Sequence, residues 1–436
     1  MNRSNHIFIR IMKIIHTSDL HLGQVLYQHY EREDEHEHFF RQLAAWCRAE
    51  KPDALVVSGD IFDVRQPGAH ARRFFNEHVV ALAQAHRDMT IVVTAGNHDS
   101  ASYVQADSPI WAAAGVRVVG LAPSPSPSED GWQDDYIVRL PQGYVIALPY
   151  MPGERPAVVE ALLERVSQEN TEGKPVVLMA HAAISGTDME GHPEIGKMRT
   201  QGIETLGRGW DYLALGHIHK PQTLGHPDDQ FTMDAVTYPS GVARYCGSAL
   251  HVSCDETYPH TVSVVDVPAH GASVTIRQLR IDELRHFYVL PEGDGSYGSE
   301  KEALEGVKAF CVGAGRGYFR LRLDAGAELS PDFLKKVYDL LEGHDDKARF
   351  NPKPIWTGKT EKEDQKEALV FEVADLQQMT DPMDFIEKTI DRYPGLPDVA
   401  TLRTLFDEVR AEMDLLAEAR AKKGGKKSGT TTAQEE

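Results

Sequence analysis

The chain has 436 residues, too many for one average domain, and its 41% apolar and 26% charged residues are ordinary for a soluble globular protein. A formal net charge of -20 argues against unaided nucleic-acid binding, which would need a local basic patch, metal ions or a basic partner. No apolar run is long enough to span a bilayer, and the first ten residues lack the pattern of a signal peptide, so a cytoplasmic protein without membrane association is expected.

Residues 1–11 read as a disordered extension, and Met12-Lys13-Ile14-Ile15-His16 as the first strand; that string could itself start a chain. Helix patterns at 31–50 and 69–86 alternate with strands at 54–58 and 90–94. The turn-rich run Pro123-Ser124-Pro125-Ser126-Pro127-Ser128 precedes strands near 135–139 and 144–148. A helix at 157–169 leads to a strand at 175–180, and further strands follow at 211–215, 236–238, 261–267 and 273–281. This alternation implies an α/β fold with helices packed outside sheets.

Composition shifts after Arg285. Residues 292–300 are rich in Gly, Ser and acidic groups, as a linker would be, and a smaller α/β unit follows. Its expected elements are helices at 300–310 and 330–341 and strands at 318–323 and 369–373. Asp381-Pro382 then starts a helix carrying Phe385 and Ile386, with an N-cap carboxylate and proline at the first helical position. Pro394-Gly395-Leu396-Pro397 breaks it, and a second helix over 398–420 places Leu402, Phe406, Val409, Met413 and Leu416 on one stripe. The expected divisions are 12–284, 285–376, 377–420 and a disordered tail, 421–436. The four cysteines, Cys47, Cys246, Cys254 and Cys311, form no Cys-x-x-Cys pair and read as reduced thiols.

Five segments carry the chemistry: Asp19-Leu20-His21, Gly59-Asp60-Ile61-Phe62-Asp63, Gly96-Asn97-His98-Asp99, His181 and Gly216-His217-Ile218-His219. Each follows an apolar run that reads as a strand, and strand ends are where donors from distant parts of a chain converge. Two metal ions held close together need several oxygen and nitrogen donors, one of them shared. Asp60 is the candidate bridge, because a carboxylate offsets cation repulsion. Asp19 and His21 can turn to one ion, Asn97 offers an amide oxygen, and His181, His217 and His219 offer imidazoles. With no cysteine in the set, manganese, iron, zinc or magnesium fits and a structural zinc site does not. Such a pair activates water for in-line attack on phosphorus. His98, flanked by Asn97 and Asp99, is expected to assist the transition state or protonate the leaving oxygen, with Asp99 orienting its ring. Each segment alone has an ordinary reading as a turn or capped strand end; the ordered set of five is what points to a metallophosphoesterase.

Other features carry less. His36 and His38 lie two apart on a predicted helix, face different ways and read as solvent-facing. Gly358-Lys359-Thr360 lacks the first glycine of a phosphate loop, where Lys353 stands, and Gly313-Ala314-Gly315-Arg316-Gly317 precedes a strand instead of following one. No ATP hydrolysis by a phosphate loop is expected.

The five segments resemble the calcineurin-like metallophosphoesterase superfamily. Their surroundings narrow this: His16-Thr17-Ser18-Asp19-Leu20-His21-Leu22-Gly23, Ser58-Gly59-Asp60-Ile61-Phe62-Asp63, Ala95-Gly96-Asn97-His98-Asp99-Ser100 and Leu215-Gly216-His217-Ile218-His219 resemble the SbcD family of nuclease subunits. Tyr245-Cys246-Gly247-Ser248 is similar to that family's Tyr-Ser-Gly-Ser segment, with Cys246 for serine and Ala249 where proline is common. The resemblance runs from Met12 to about Arg420. It implies a layered metallophosphoesterase β-sandwich flanked by helices, a smaller α/β capping domain and a C-terminal helix pair. It also implies one ion on Asp19, His21, Asp60 and His219 and the other on Asp60, Asn97, His181 and His217, typically manganese. Asp63 falls where the family has a DNA-placing residue. The implied activity is ATP-linked 3′→5′ exonuclease action on double-stranded DNA, with endonuclease action on single strands and hairpins. An SbcC-type ATPase would be the partner, with the helix pair docked at the base of its coiled coil and a homodimer within a heterotetramer. Arg65, Arg72 and Arg73 follow the Asp60 loop and could contact DNA phosphates, or form a solvated helix start.

Two rivals remain at this point. A small-molecule phosphomonoesterase or cyclic-nucleotide phosphodiesterase would use the same ligands but has no evident need of residues 285–420. A catalytically dead scaffold would not need the intact ligand set and His98.

Overall fold

A computed structural model describes residues 11–358 apart from 125–126, 128–129, 191–198, 230, 314–315 and 345. Two sheets lie face to face between helices. In the first, the strands Met12–Thr17, Ala54–Ser58, Thr90–Thr94 and Val116–Val119 run parallel, and Thr261–Val267 joins Met12–Thr17 antiparallel. Val274–Arg280 and Val236–Tyr238 extend that edge to seven strands. The second sheet has Tyr144–Ala147, Val176–His181, Tyr212–Gly216 and Val242–Tyr245 parallel, with antiparallel edges Ile137–Arg139 and Gln222–Thr223.

The apolar runs are continuous because these strands are covered on both faces. Side chains alternate between two cores along each strand. Ile14, Val56 and Val92 of the first sheet meet Val145, Val177, Met179 and Ala214 of the second in the middle layer. Their neighbours Ile15, Leu55, Val57 and Val93 face outward onto Phe39, Leu43, Phe75 and Val79 of the helices Glu33–Glu50 and Ala69–Ala85. On the far side Leu178, Ala180 and Leu213 pack under Val159, Leu162 and Val166 of the helix Pro156–Glu169. The expected sandwich flanked by helices is therefore present.

Residues beyond Arg285 build a separate small sheet, His286–Leu290, Gly317–Asp324 and Ala348–Thr357, all parallel. The helices Glu300–Val312 and Phe333–Leu341 close its own core around Phe319, Leu321, Phe350 and Val337. A buried ionic cluster ties it to the sandwich. The Glu35 carboxylate accepts from Arg32 at 2.7 Å, Tyr318 at 2.6 Å, Arg349 at 3.2 Å and Arg285 at 3.3 Å.

One expectation is overturned in this region. His36 is not solvent-facing: it is buried, with its ring nitrogens 2.8 and 3.0 Å from the carbonyls of Leu20 and Arg32, one of which accepts the N–H of the neutral ring. The helix start lies directly against the loop that leaves the first strand, so the carbonyls of that loop need a partner. His38 is half-buried, 3.5 Å from Asp282.

The chain divides into two units, Met1–Thr357 and Gly358–Glu436. Residues 1–10 of the expected extension 1–11, the predicted strand 369–373, the helix pair with Phe385, Ile386, Leu402, Phe406, Val409, Met413 and Leu416, and the tail from 421 lie outside the described residues. Among the described residues no helix is long and apolar enough to cross a membrane. All four cysteines are free, with Cys47, Cys246 and Cys311 buried.

Candidate dinuclear metal centre

All seven expected ligands sit at the C-terminal ends of parallel strands from both sheets. Asp19 and His21 follow Met12–Thr17, Asp60 follows Ala54–Ser58, and Asn97 follows Thr90–Thr94. His181 ends Val176–His181, and His217 and His219 follow Tyr212–Gly216. The backbone is bent hard to present them. Asp19, His21, Asp60 and His217 all have positive φ, at 52, 46, 47 and 100°. A non-glycine residue held there costs about 1–3 kcal/mol, so four in one site mark strain that the surrounding packing sustains.

Close approach explains the glycines of the motifs. A Cβ on Gly59 would lie 2.2 Å from His181 Nδ1, and one on Gly216 only 1.8 Å from the Ser58 carbonyl. These positions admit no side chain while the strands carry His181 and Asp60 so near each other.

The donors converge in two adjacent sets. One atom each of Asp19, His21 and His219 lies within 4.8 Å of the others, as do atoms of Asp60, His181 and His217. His21, Asp63 and His98 form a third such group. His181 Nδ1 donates to the Ser58 carbonyl at 2.8 Å, leaving Nε2 to face Asn97 Oδ1 at 2.9 Å and Asp60 Oδ2 at 3.3 Å. His21 Nε2 and His219 Nε2 face each other at 3.3 Å. Lone pairs thus point at lone pairs inside a buried space where Asp19 and Asp60 are 0% and 1% exposed. Such an arrangement repels itself unless protons or cations sit between the donors.

The titration behaviour has the same origin. Burial opposes charge on His181, but the Asp60 and Asp19 carboxylates prevail and raise it to about 9. On His21 burial is likewise overcome by Asp63, Asp60 and Asp19, again to about 9. Burial raises Asp19, whereas at Asp60 it is outweighed by His181 and His21, which hold that carboxyl far below its usual range. The centre is built to hold positive charge, and its oxygen and imidazole donors suit divalent ions.

His98 sits beside this set without joining the two main groups. Its backbone N–H donates to Asp60 Oδ1 at 2.8 Å, and its ring stands edge-on to His21 at 5.0 Å between centroids. The expected role of Asp99 is corrected here. Its carboxylate accepts from the backbone N–H groups of Gly96, Phe62 and Ile61 at 2.8, 2.9 and 3.0 Å, and so braces the two ligand loops. Burial and the Asp60 charge push it up to about 6. The His98 ring is oriented instead by the Asp63 carbonyl, 2.9 Å from Nδ1. The Asp63 side chain lies 3.4 Å from His21 Nδ1.

The three arginines are dispersed. Arg72 pairs with Asp107 at 2.6 Å and stacks on Tyr103, and Arg73 lies 3.8 Å from Glu77. Arg65 is exposed, and among the described residues no carboxylate pairs with it. The sequence reading missed Glu256, which holds His219 Nδ1 at 2.8 Å, and Tyr150, which packs edge-on against His181 and with Arg199 lines a cavity of about 260 Å³ that opens on Asn97 and His217. None follows a ligand-like spacing, so no sequence signal marks them.

Residues 12–221 match the family model of the calcineurin-like phosphoesterases. The SbcD component of the SbcCD nuclease of Rhodobacter capsulatus is 30% identical over 293 residues, 60% of this chain and 68% of that protein. The SbcD component from Escherichia coli is 29% identical over 307 residues, 65% of this chain and 71% of that protein. That of Bacillus subtilis is 28% identical over 281 residues, 58% of this chain and 66% of that protein.

Proposed function

We infer the function from a family relationship: the chain belongs to the family of SbcD, a component of the SbcCD nuclease, within the calcineurin-like phosphoesterases, and is a metal-dependent phosphodiesterase. It acts on DNA with two divalent ions, manganese being the proposed pair, on Asp19, His21, Asp60 and His219 and on Asp60, Asn97, His181 and His217. Its activities are ATP-linked 3′→5′ exonuclease action on duplex ends and endonuclease action on single strands and hairpins. ATP is handled by an SbcC-type ATPase with a coiled coil, and the protein works in the cytoplasm as a homodimer within a heterotetramer. Residues 285–376 cap access to DNA ends, and 377–420 dock on the partner.

The observation that carries this reading is the meeting of buried lone pairs at the strand ends, with Asp60 Oδ2 3.3 Å from His181 Nε2 in one donor set and 3.9 Å from His21 Nε2 in the other. When bound, the ions lower the pKa of a water molecule and neutralise phosphoryl charge. Asp60 would be the carboxylate shared by the two ions, and Asp19 is held rigid by the His217 N–H at 3.0 Å and Ser18 Oγ at 2.5 Å. With Nδ1–H of His98 donating to the Asp63 carbonyl, Nε2 is the ring atom left for a substrate oxygen. Arg65 supplies a phosphate contact beside that loop.

The test is a labelled DNA hairpin, a linear duplex and a chromogenic phosphoester, each incubated with manganese, with and without an SbcC-type partner and ATP. Cleavage of the DNA substrates is expected. Rapid turnover of the small ester with both DNAs intact would replace this reading with the small-molecule phosphoesterase.

A further inference from the structure

The loop 251–260 joins the metal centre to the small sheet. On its inner side lies Glu256, 1% exposed, with Oε1 2.8 Å from His219 Nδ1 and Oε2 accepting from the Val252 N–H at 3.1 Å. On its outer side Asn351 Nδ2 meets Cys254 Sγ at 3.0 Å and an Arg320 amino group meets Asp255 Oδ1 at 3.2 Å. The loop is therefore held on both sides, inward through Glu256 and outward through Cys254 and Asp255.

His219 can donate to Glu256 only through Nδ1–H, which sets the tautomer and turns Nε2 toward His21 Nε2, 3.3 Å away. The other half of the centre is built differently, since His181 Nδ1 donates to the neutral Ser58 carbonyl at 2.8 Å. A carboxylate behind an imidazole makes it a stronger donor and fixes its ring, and loss of such a partner weakens metal binding. Behind Glu256 a second buried imidazole, His260, has its Nδ1 satisfied by the Ser248 carbonyl at 2.9 Å. Its Nε2 makes no hydrogen bond and lies 3.4 Å from Glu256 Oε2. Oε1 is thus placed for His219, while Oε2 holds the Val252 N–H with His260 Nε2 beside it.

We propose that Glu256 is a positioning residue that fixes the orientation and donor strength of His219, so that the ion held by Asp19, His21, Asp60 and His219 depends on it and the ion held by Asn97, His181 and His217 does not. This rests on the two-ion reading of the centre. The test is calorimetric titration of the full chain with manganese, with melting temperature followed alongside, for the parent protein and Glu256→Leu, Glu256→Gln and Glu256→Asp. In Glu256→Leu one ion of the two weakens by about 10–100-fold while the other holds its affinity. Glu256→Gln keeps an oxygen to accept from Nδ1–H and gains a donor toward His260, but it loses the charge and sets that amide against the Val252 N–H, so it recovers only part of that loss. Glu256→Asp withdraws the carboxylate by one methylene and weakens the same ion. Parent-like affinity for both ions in Glu256→Asp or in folded Glu256→Leu would overturn the proposal, as would equal weakening by Leu and Gln. A parent protein that fails to bind two ions refutes the metal centre itself, which is a separate outcome.

Discussion

Replacing Gly59 by alanine isolates the close approach on which the centre is built. Gly59 has φ +86°, and an added Cβ would stand 2.2 Å from His181 Nδ1, 2.6 Å from its Cγ and 2.9 Å from Gly96 Cα. A left-handed conformation costs an L-residue about 1–2 kcal/mol, and forcing extra volume into packed surroundings adds about 1–3 kcal/mol. The sum is about 2–5 kcal/mol. Gly131 provides the control: its φ is +82°, but the nearest atom to an added Cβ, Asp134 Oδ2, is 3.9 Å away. Gly131→Ala therefore costs only the backbone part, about 1–2 kcal/mol. At about 2 °C per kcal/mol for a chain of this size, Gly59→Ala melts about 4–10 °C below the parent and Gly131→Ala about 2–4 °C below it. Because His181 must move, Gly59→Ala also loses affinity for manganese, while Gly131→Ala keeps it. Thermal unfolding and manganese titration of the two variants read both effects. Equal melting temperatures with equal manganese affinity would refute the argument from close approach.

His98→Ala lowers the DNA cleavage rate by about 10²–10⁴-fold and leaves manganese stoichiometry at the parent value, measured by single-turnover kinetics and titration. Glu35 gives a pH dependence. Burial opposes its charge, but Arg32, Tyr318 and Arg285 hold its carboxyl below the usual range, so its stabilisation is complete at neutral pH and is lost as pH falls through the folded pKa. Glu35→Gln leaves the buried guanidinium groups of Arg32 and Arg285 without their shared charge and costs about 3–5 kcal/mol at pH 7. Urea unfolding from pH 7 down to pH 3 should show that deficit shrinking, and a constant deficit would contradict the linkage. Deleting residues 381–420 should abolish co-purification with an SbcC-type partner while sparing manganese binding; unchanged co-purification would contradict docking through the helix pair.

Strands buried on both faces were legible because their apolar runs are continuous and bounded by turn residues; 54–58, 90–94 and 261–267 coincide with the strands observed. Other elements left too faint a signal. Ala101–Ala106 and Ser108–Ala113 are six residues each, less than two turns, too short for a helical period to show. Ala348–Thr357 contains Pro352 and Pro354, which speak against a strand, yet it lies at the edge of its sheet where missing N–H groups are tolerated. In the centre, the ligand types and their order were visible because side-chain chemistry is written in the sequence. Apart from Glu256 and Tyr150, what was not visible depends on the backbone. The Asp63 carbonyl behind His98, the Ser58 carbonyl behind His181 and the three N–H groups on Asp99 belong to main-chain atoms that any residue carries. His36 shows the same limit, since its burial comes from the Leu20 carbonyl brought near by the fold.

Anomalous diffraction from crystals grown with manganese tests the two-ion centre most directly. Two peaks about 3.5–4 Å apart are expected, with Asp60 between them, His219 on one side and His181 on the other. A single peak, or two that do not share Asp60, would contradict it.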